Sequence, residues 1–519
     1  MKFLCIAFIF SFLYSEALFG QFINIIPYPD QVEQKEGHFI LNSNTVIVPD
    51  EYSFFRAKQL KRYLEPATGF DIEIEQSERK SNLIIVKKIE SLKYLGEEGY
   101  HLEITQNRIQ IEAYHSKGLF YAIQTLIQLL PVEIYRKAKV ENVDWILPSC
   151  KIIDTPQYEW RGLMIDYSRT FWNKRITKKY IDAMALYKLN KLHMHLTDDQ
   201  GWRIEILRYP DLTRIASKFD TSYHEPQERE GFFNQSDIKE IIQYASERNV
   251  EIIPEIEMPG HSSEVFAVYP ELSCKGETMK IHPFVLGPGI HKEIYCAGND
   301  STFIFLKNVL SEVFKLFPST YIHIGGDEAP KDHWKDCSRC QQRLAEEGLK
   351  DEYELQSWFI KQIESHISAN QKIMIGWDEI VEGGLSGTAT VMYWRGWEKS
   401  VPELVLENGN NIIMTPTSHC YFDYTYESIS SEHVYSYNPV PESLDGIKTE
   451  QILGVQANFW SHLNRIEPEM DRQIFPRLLA LAEVGWLKES DKNWGDFSLR
   501  LKHHKKVLEI LDIYYFKEK

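Results

Sequence analysis

The chain has 519 residues, 43% hydrophobic and 26% charged, which excludes a disordered chain and leaves room for a large barrel plus a second domain. A formal net charge of −17 argues against nucleic acid as a partner, because phosphate binding needs clustered Lys and Arg. An acidic surface of this kind favours solubility.

The chain opens with Lys2 and an apolar run, Phe3 to Leu13, followed by small residues near Ala17 and Gly20. This pattern predicts a signal peptide over 1–21, and the run is too short to remain as a membrane span. No later stretch reads as transmembrane. Export to the periplasm or the cell exterior is therefore expected.

Residues 22–155 predict an α+β accessory domain. Strand-like pieces fall at Thr45–Val48, Asp71–Glu75 and Leu83–Lys87, and a hairpin joins His101–Thr105 to Arg108–Ala113. Apolar residues at three- and four-residue spacing predict helices over Phe54–Leu64 and Lys117–Leu130.

Over 156–519 the rhythm becomes alternating strand and helix. Strands are predicted at Arg161–Asp166, Lys191–Leu196, Glu251–Ile256, Tyr321–Gly325, Lys372–Trp377, Thr390–Trp394, Ile412–Thr415 and Gly454–Phe459. Helices are predicted at Thr177–Leu189, Asp237–Arg248, Phe303–Phe317, Tyr353–Ala369 and Arg472–Trp486. About eight such units predict a (β/α)8 TIM barrel, an α/β fold whose catalytic groups gather where strands end. A doubly wound sheet would carry a glycine-rich phosphate loop after its first strand, and none is present. Polar and aromatic residues do cluster at the strand ends: Asp166 and Arg169, Asp198 and Asp199, Glu257 and His261, Asp327 and Glu328, Trp377 and Asp378, Trp394 and Arg395, Tyr421 and Asp423, Trp460 and His462.

The sharpest segment is His323-Ile-Gly-Gly-Asp327-Glu328. Two glycines allow tight backbone geometry and leave room for a ligand. Adjacent acids repel unless their environments differ, and that difference separates their pKa values. The chain has 7 Cys. Cys274 and Cys296 bracket a loop and suggest a disulfide pair, as export permits. Cys337 and Cys340 form a C-x-x-C; a zinc site there would need two more ligands, and only His333 is near in sequence, so a local disulfide or free thiols is the expectation. Neither a metal nor a cofactor is expected.

Gly325-Gly326-Asp327-Glu328 resembles the catalytic motif of glycoside hydrolase family 20, the β-N-acetylhexosaminidases. Arg161-Gly-Leu-Met-Ile-Asp166-Tyr-Ser-Arg169, His193-Met-His-Leu-Thr-Asp198-Asp-Gln-Gly-Trp202-Arg and Pro254-Glu-Ile-Glu-Met-Pro-Gly-His261 resemble further family segments, in family order. The resemblance implies exo-cleavage of terminal N-acetyl-β-hexosamines from an oligosaccharide or glycoconjugate, with the substrate's own acetamido oxygen as nucleophile. It makes Glu328 the general acid and then base, and Asp327 the partner of the acetamido N–H. Tyr421 becomes the donor to the acetamido oxygen. Trp377, Trp394 and Trp460 become aromatic walls, with Arg169, Asp198 and Asp423 on sugar hydroxyls and His261 beside the two acids. Arg161 reads as the more structural arginine. Where the family often carries a Glu after Trp460-Ser461, this chain has His462, which implies altered recognition around the 4- and 6-hydroxyls. The barrel class also allows a homodimer.

Four alternatives stand beside this reading. A chitinase-like enzyme would place several acids at alternating positions along one strand, and a non-catalytic sugar-binding descendant would have lost Asp327 or Glu328. A transglycosylase would share every motif. A metal-dependent hydrolase would use His193, His195, Asp198 and Asp199 as ligands.

Overall fold

The computed structural model describes residues 23–76, 81–286, 289–441, 444 and 449–518. The predicted signal peptide lies outside the described residues. Among those residues, no helix is long and apolar enough to cross a membrane.

The first unit is built on β1 (Gln31–Ile40), β2 (Val46–Pro49), β3 (Glu73–Ile74), β4 (Leu83–Lys88), β5 (Tyr100–Ile104), β6 (Arg108–Ala113) and β7 (Ile146–Asp154). They form one mixed sheet in the order β1-β7-β5-β6-β4-β2-β3. β4 is an unbroken apolar run, Leu83 to Val86, buried along its length. That is the composition of a strand flanked by parallel neighbours and covered on both faces, here β2 and β6. The sequence reading missed β1 and β7, which pair antiparallel. β1 is largely exposed and its register breaks between Gln34 and His38. A charged, bulged edge strand of this kind resists adding further strands and leaves no clean two-residue period to detect.

The second unit is a closed parallel barrel. Its strands are β8 (Trp160–Asp166), β9 (Lys191–His195), β12 (Glu251–Glu255), β13 (Tyr321–His323), β14 (Ile373–Trp377), β15 (Thr390–Tyr393), β16 (Ile412–Met414) and β17 (Ile452–Phe459). A small ladder, β10 (Thr197–Asp198) with β11 (Gly201–Trp202), stands on the loop after β9. All eight expected barrel strands are present. The expected helix over 472–486 is instead two helices, Glu467–Ile474 and Arg477–Trp486. Pro476 stands between them, and its ring and missing N–H prevent one continuous helix.

The two units share a polar seam. Asp154, at the end of β7, accepts from Lys188 Nζ at 2.8 Å, Tyr100 Oη at 2.6 Å and Trp486 Nε1 at 2.8 Å. Lys188 and Asp154 are both fully buried. Arg161, also fully buried, reaches Glu98 of the first unit at 2.9 Å and donates to the carbonyls of Tyr158 and Lys188. Its role is thus structural, as expected. Removing one member of a buried pair leaves an uncompensated charge and costs about 3–5 kcal/mol. Asp154→Ala should therefore lower unfolding free energy by about that amount, whereas the double variant Asp154→Leu, Lys188→Met should recover most of it; denaturant titration of the three proteins checks this.

Candidate active site

Every site residue lies at or just past the C-terminal end of a barrel strand. After β13 the chain turns through Gly325 (φ 69°) and Gly326 (φ 96°) before Asp327 and Glu328. A side chain at Gly325 would place its Cβ 1.6 Å from Glu257 Oε2, so only glycine fits. Glu328 itself has φ 41° and His261 has φ 46°. Both are L-residues in the left-handed region, where strain is characteristic of functional sites.

The two acids differ in environment. Asp327 is 8% exposed, and burial, reinforced by Glu328 and Glu255 and opposed by His261, raises its carboxyl to about 6. Its Oδ1 is buried with no hydrogen-bond partner among the described residues. The Glu328 side chain is 34% exposed. His261 joins the pair. Its Nε2 lies 3.3 Å from Glu328 Oε2 and 3.8 Å from Asp327 Oδ2, and its Nδ1 lies 3.1 Å from Asp199 Oδ2 and 3.2 Å from Asp198 Oδ1. Burial alone would lower the imidazole, but Asp198, Asp199 and Glu328 outweigh it and hold His261 well above its usual range. It is therefore a cation set among four carboxyl groups.

Beneath them runs a buried network that sequence reasoning missed. Glu255, fully buried at the end of β12, meets His193 Nε2 at 3.0 Å, His323 Nδ1 at 2.8 Å and His195 Nδ1, and accepts from Trp377 Nε1 at 2.9 Å. Burial opposes its charge, yet the three histidines hold the carboxyl well below its ordinary value. Glu257, two residues on, is pushed the other way by burial, then by Asp327 and Glu255, so it sits neutral under Gly325. Glu255 closes β12 and Glu257 lies two residues past it, so the pair makes no run of acids along one strand for a two-residue period to reveal. The two histidines weighed as metal ligands, His193 and His195, both turn to Glu255.

Asp198 is 1% exposed and engages Arg169 Nη2 at 2.7 Å, His195 Nε2 at 2.8 Å, His261 and the Asp199 N–H. It was expected to grip sugar hydroxyls directly. The structure instead sets it beneath Arg169 and His261, because a carboxylate this deep needs all its lone pairs met by protein donors. Arg169 also donates to Gln200 Oε1 at 2.8 Å and lies 5.0 Å from the Trp460 ring. Its side chain is 3.8 Å from Asp166, while its backbone N–H donates to Asp166 Oδ1 at 3.1 Å.

The aromatic residues form a box. Trp394 and Tyr421 stack at 6.1 Å with 24° between planes, Tyr421 and Trp460 lie 6.3 Å apart, and Trp460 and Trp377 lie 6.0 Å apart. Trp377 is 1% exposed and so forms the floor, whereas Trp394 and Trp460 stand half-buried as walls. Burial, with Asp327 and Asp423 adding, raises the Tyr421 phenol well above its usual value, so its hydroxyl remains a donor. Trp394 Nε1 donates to Glu379 Oε2 at 2.8 Å. Glu379 is a further missed acid, kept protonated by burial and by Asp327 and Asp378. Asp423 presents a buried Oδ1 without a partner among the described residues and is raised by burial to about 7. His462 faces Phe284, ring centroids 4.8 Å apart, and burial, then Arg169, lowers it to about 4. It is a neutral imidazole at pH 7.

Acids of unequal burial in a box of indole rings at the mouth of a barrel make the site of a glycosidase. Residues 158–489 match the family model for the catalytic domain of glycosyl hydrolase family 20, and residues 23–155 match its domain 2. A Porphyromonas gingivalis β-hexosaminidase is 41% identical over 492 residues, covering 92% of this chain; the chain spans only 62% of that relative's length. Among solved structures, the family 20 β-N-acetylhexosaminidase of Streptomyces coelicolor superposes with a TM-score of 0.85 at 29% identity, covering 96% of this chain and 98% of that one. A mutant Streptomyces plicatus β-hexosaminidase in complex with its product GlcNAc gives 0.85 at 28% identity over 96% and 97%. The chain belongs to glycosyl hydrolase family 20.

The Asp327 carboxyl yields a pH prediction. Raised from an unfolded value of about 3.9 to about 6, it stabilises the fold fully below pH 4, and that stability is lost as pH rises through 6. Asp327→Asn removes the buried charge. The variant should match wild type near pH 4 and exceed it at pH 8 by up to about 3 kcal/mol, read by denaturant unfolding at the two pH values.

Proposed function

We propose that the protein is an exo-acting β-N-acetylhexosaminidase that removes terminal non-reducing N-acetyl-β-hexosamines (GlcNAc or GalNAc) by retaining, substrate-assisted catalysis. The observation that carries this is the partnerless Asp327 Oδ1 beside a half-exposed Glu328, the two spanned by His261. A buried carboxyl oxygen without a donor costs free energy and is met by an acetamido N–H. Asp327 then fixes the acetamido group so that its oxygen attacks the anomeric carbon, and stabilises the charge developing on nitrogen. Tyr421 donates to the same oxygen. Glu328 protonates the leaving oxygen, and the carboxylate left behind faces the His261 cation at 3.3 Å. Glu328 next takes a proton from the water that opens the oxazolinium intermediate, restoring the starting state. Arg169, held by Asp198, presents its fixed fork to ring hydroxyls, Asp423 accepts from the sugar's edge, and Trp394 and Trp460 bracket the ring above Trp377.

Release of the chromophore from an aryl β-N-acetylglucosaminide tests the reaction. Glu328→Gln should lower kcat by roughly 10²–10⁴-fold, and Asp327→Asn by roughly 10²–10³-fold. A folded wild-type chain without turnover would point to a sugar-binding role, and transfer to an added acceptor sugar in preference to water would mark a transglycosylase.

His462 supports a narrower reading, in which a neutral imidazole replaces an anion at the hydroxyl edge and relaxes the preference between gluco and galacto epimers. His462→Glu should then change the ratio of kcat/KM for the two aryl glycosides by about tenfold; equal ratios in the two proteins reject this reading. The predicted signal peptide supports action outside the cytoplasm, in the periplasm or beyond the cell.

A further inference from the structure

Four cysteines from two different loops meet at one point. Cys274 and Cys296 lie in the long connection between β12 and the helix Asp300–Leu316, and Cys337 and Cys340 flank the start of the helix Ser338–Glu346 that follows β13. This corrects the expectation of a disulfide between Cys274 and Cys296 and of too few ligands around the C-x-x-C. The sulfurs all lie within 4.8 Å of one another. Cys296 to Cys340 is 3.6 Å, Cys274 to Cys340 3.7 Å and Cys296 to Cys337 3.8 Å. A disulfide requires about 2.05 Å. Four sulfurs each about 2.3 Å from a central zinc form a tetrahedron with edges of about 3.8 Å, and these three separations match that figure while every pair lies within 4.8 Å.

We propose that Cys274, Cys296, Cys337 and Cys340 form a structural tetrathiolate zinc site that clips together the two loops carrying the catalytic groups. The surroundings suit a metal-thiolate centre. Arg339 Nη2 donates to the carbonyls of Ser273 at 3.1 Å and Cys274 at 3.3 Å, which sets a cation beside the net negative charge of four thiolates around one divalent ion. Hydrogen bonds of this kind orient ligands and tune the centre. Gly298 also permits the close approach, because a Cβ there would stand 2.2 Å from the Arg339 carbonyl carbon and 2.4 Å from the Cys340 nitrogen. Cys296, Cys337 and Cys340 are buried, whereas Cys274 is half-buried and gives the ion its access.

The clip is tied to the active site through two hydrogen bonds. Tyr295 N donates to the Pro259 carbonyl at 3.0 Å, two residues before His261, and Trp334 Nε1 donates to the Tyr295 carbonyl at 2.9 Å. Loss of the ion would therefore loosen the register of His261 against Glu328 without touching the reacting atoms.

The test is metal analysis of the purified mature chain, prepared without chelator. One zinc per chain is expected, released by a mercurial in step with the exposure of four thiols. The cobalt(II)-substituted protein should show the thiolate charge-transfer and tetrahedral d–d bands of a CoS4 centre. Cys296→Ser and Cys274→Ser should each lose the ion and several degrees of Tm, and Cys150→Ser should keep the ion. Wild-type folded chain lacking stoichiometric metal overturns the proposal, as does a mass lowered by the hydrogens lost in forming two disulfides. Both readouts use the wild-type chain, so they decide the matter even where a variant does not fold, and neither depends on glycosidase activity.

Discussion

The site depends on one buried anion. Glu255 lies fully buried inside the barrel, and a lone carboxylate there would cost many kcal/mol in lost hydration. Three histidines and the Trp377 indole meet it, and everything above follows from those contacts. His195 is shared with Asp198; Asp198 in turn orients Arg169 and one side of His261. The buried Trp377 indole is fixed by the same carboxylate as the floor of the aromatic box. A cooperative network of this kind is rigid because each member would be costly unpaired, and rigidity is what a site needs to hold donors where charge develops.

Above that base, the division of labour between two adjacent acids is a matter of depth. Asp327 is buried and lifted toward neutrality, with one carboxyl oxygen unpartnered among the described residues. Glu328, one residue later, turns outward on a left-handed backbone and keeps a third of its side chain in solvent. The His261 cation compensates both. Neutral Glu257 and Glu379 nearby avoid adding further negative charge, which keeps the Asp327 carboxyl from rising higher.

The rest of the molecule holds this mouth in register. The seam between sheet and barrel is made of buried charged groups, Lys188 with Asp154 and Arg161 with Glu98. Such pairs tolerate little displacement, so the first unit buttresses β8, the strand that ends at Asp166 and leads to Arg169. The four-cysteine cluster brings the loop after β12 against the segment after β13.

The eight-strand rhythm, the acid pair after two glycines and the aromatic and charged residues at strand ends were legible in the sequence alone, because short apolar runs and their boundaries are local properties of the chain. The edge strands β1 and β7 were not, since β1 is solvated and bulged and its pairing is supplied by a segment over a hundred residues away. Nor did sequence show that Asp198 lies buried against Arg169 and His261, or distinguish ionised Glu255 from neutral Glu257; the same carboxyl chemistry takes either state according to how many donors surround it. Spacing along the chain also left Cys337 and Cys340 two ligands short, and only the folding of two loops onto each other brings Cys274 and Cys296 to them. Chain-local pattern thus determined the barrel and the adjacent acid pair, while burial and long-range contact decided charge states, the depth of each residue and the four-cysteine cluster, because those depend on neighbours that sequence order does not reveal.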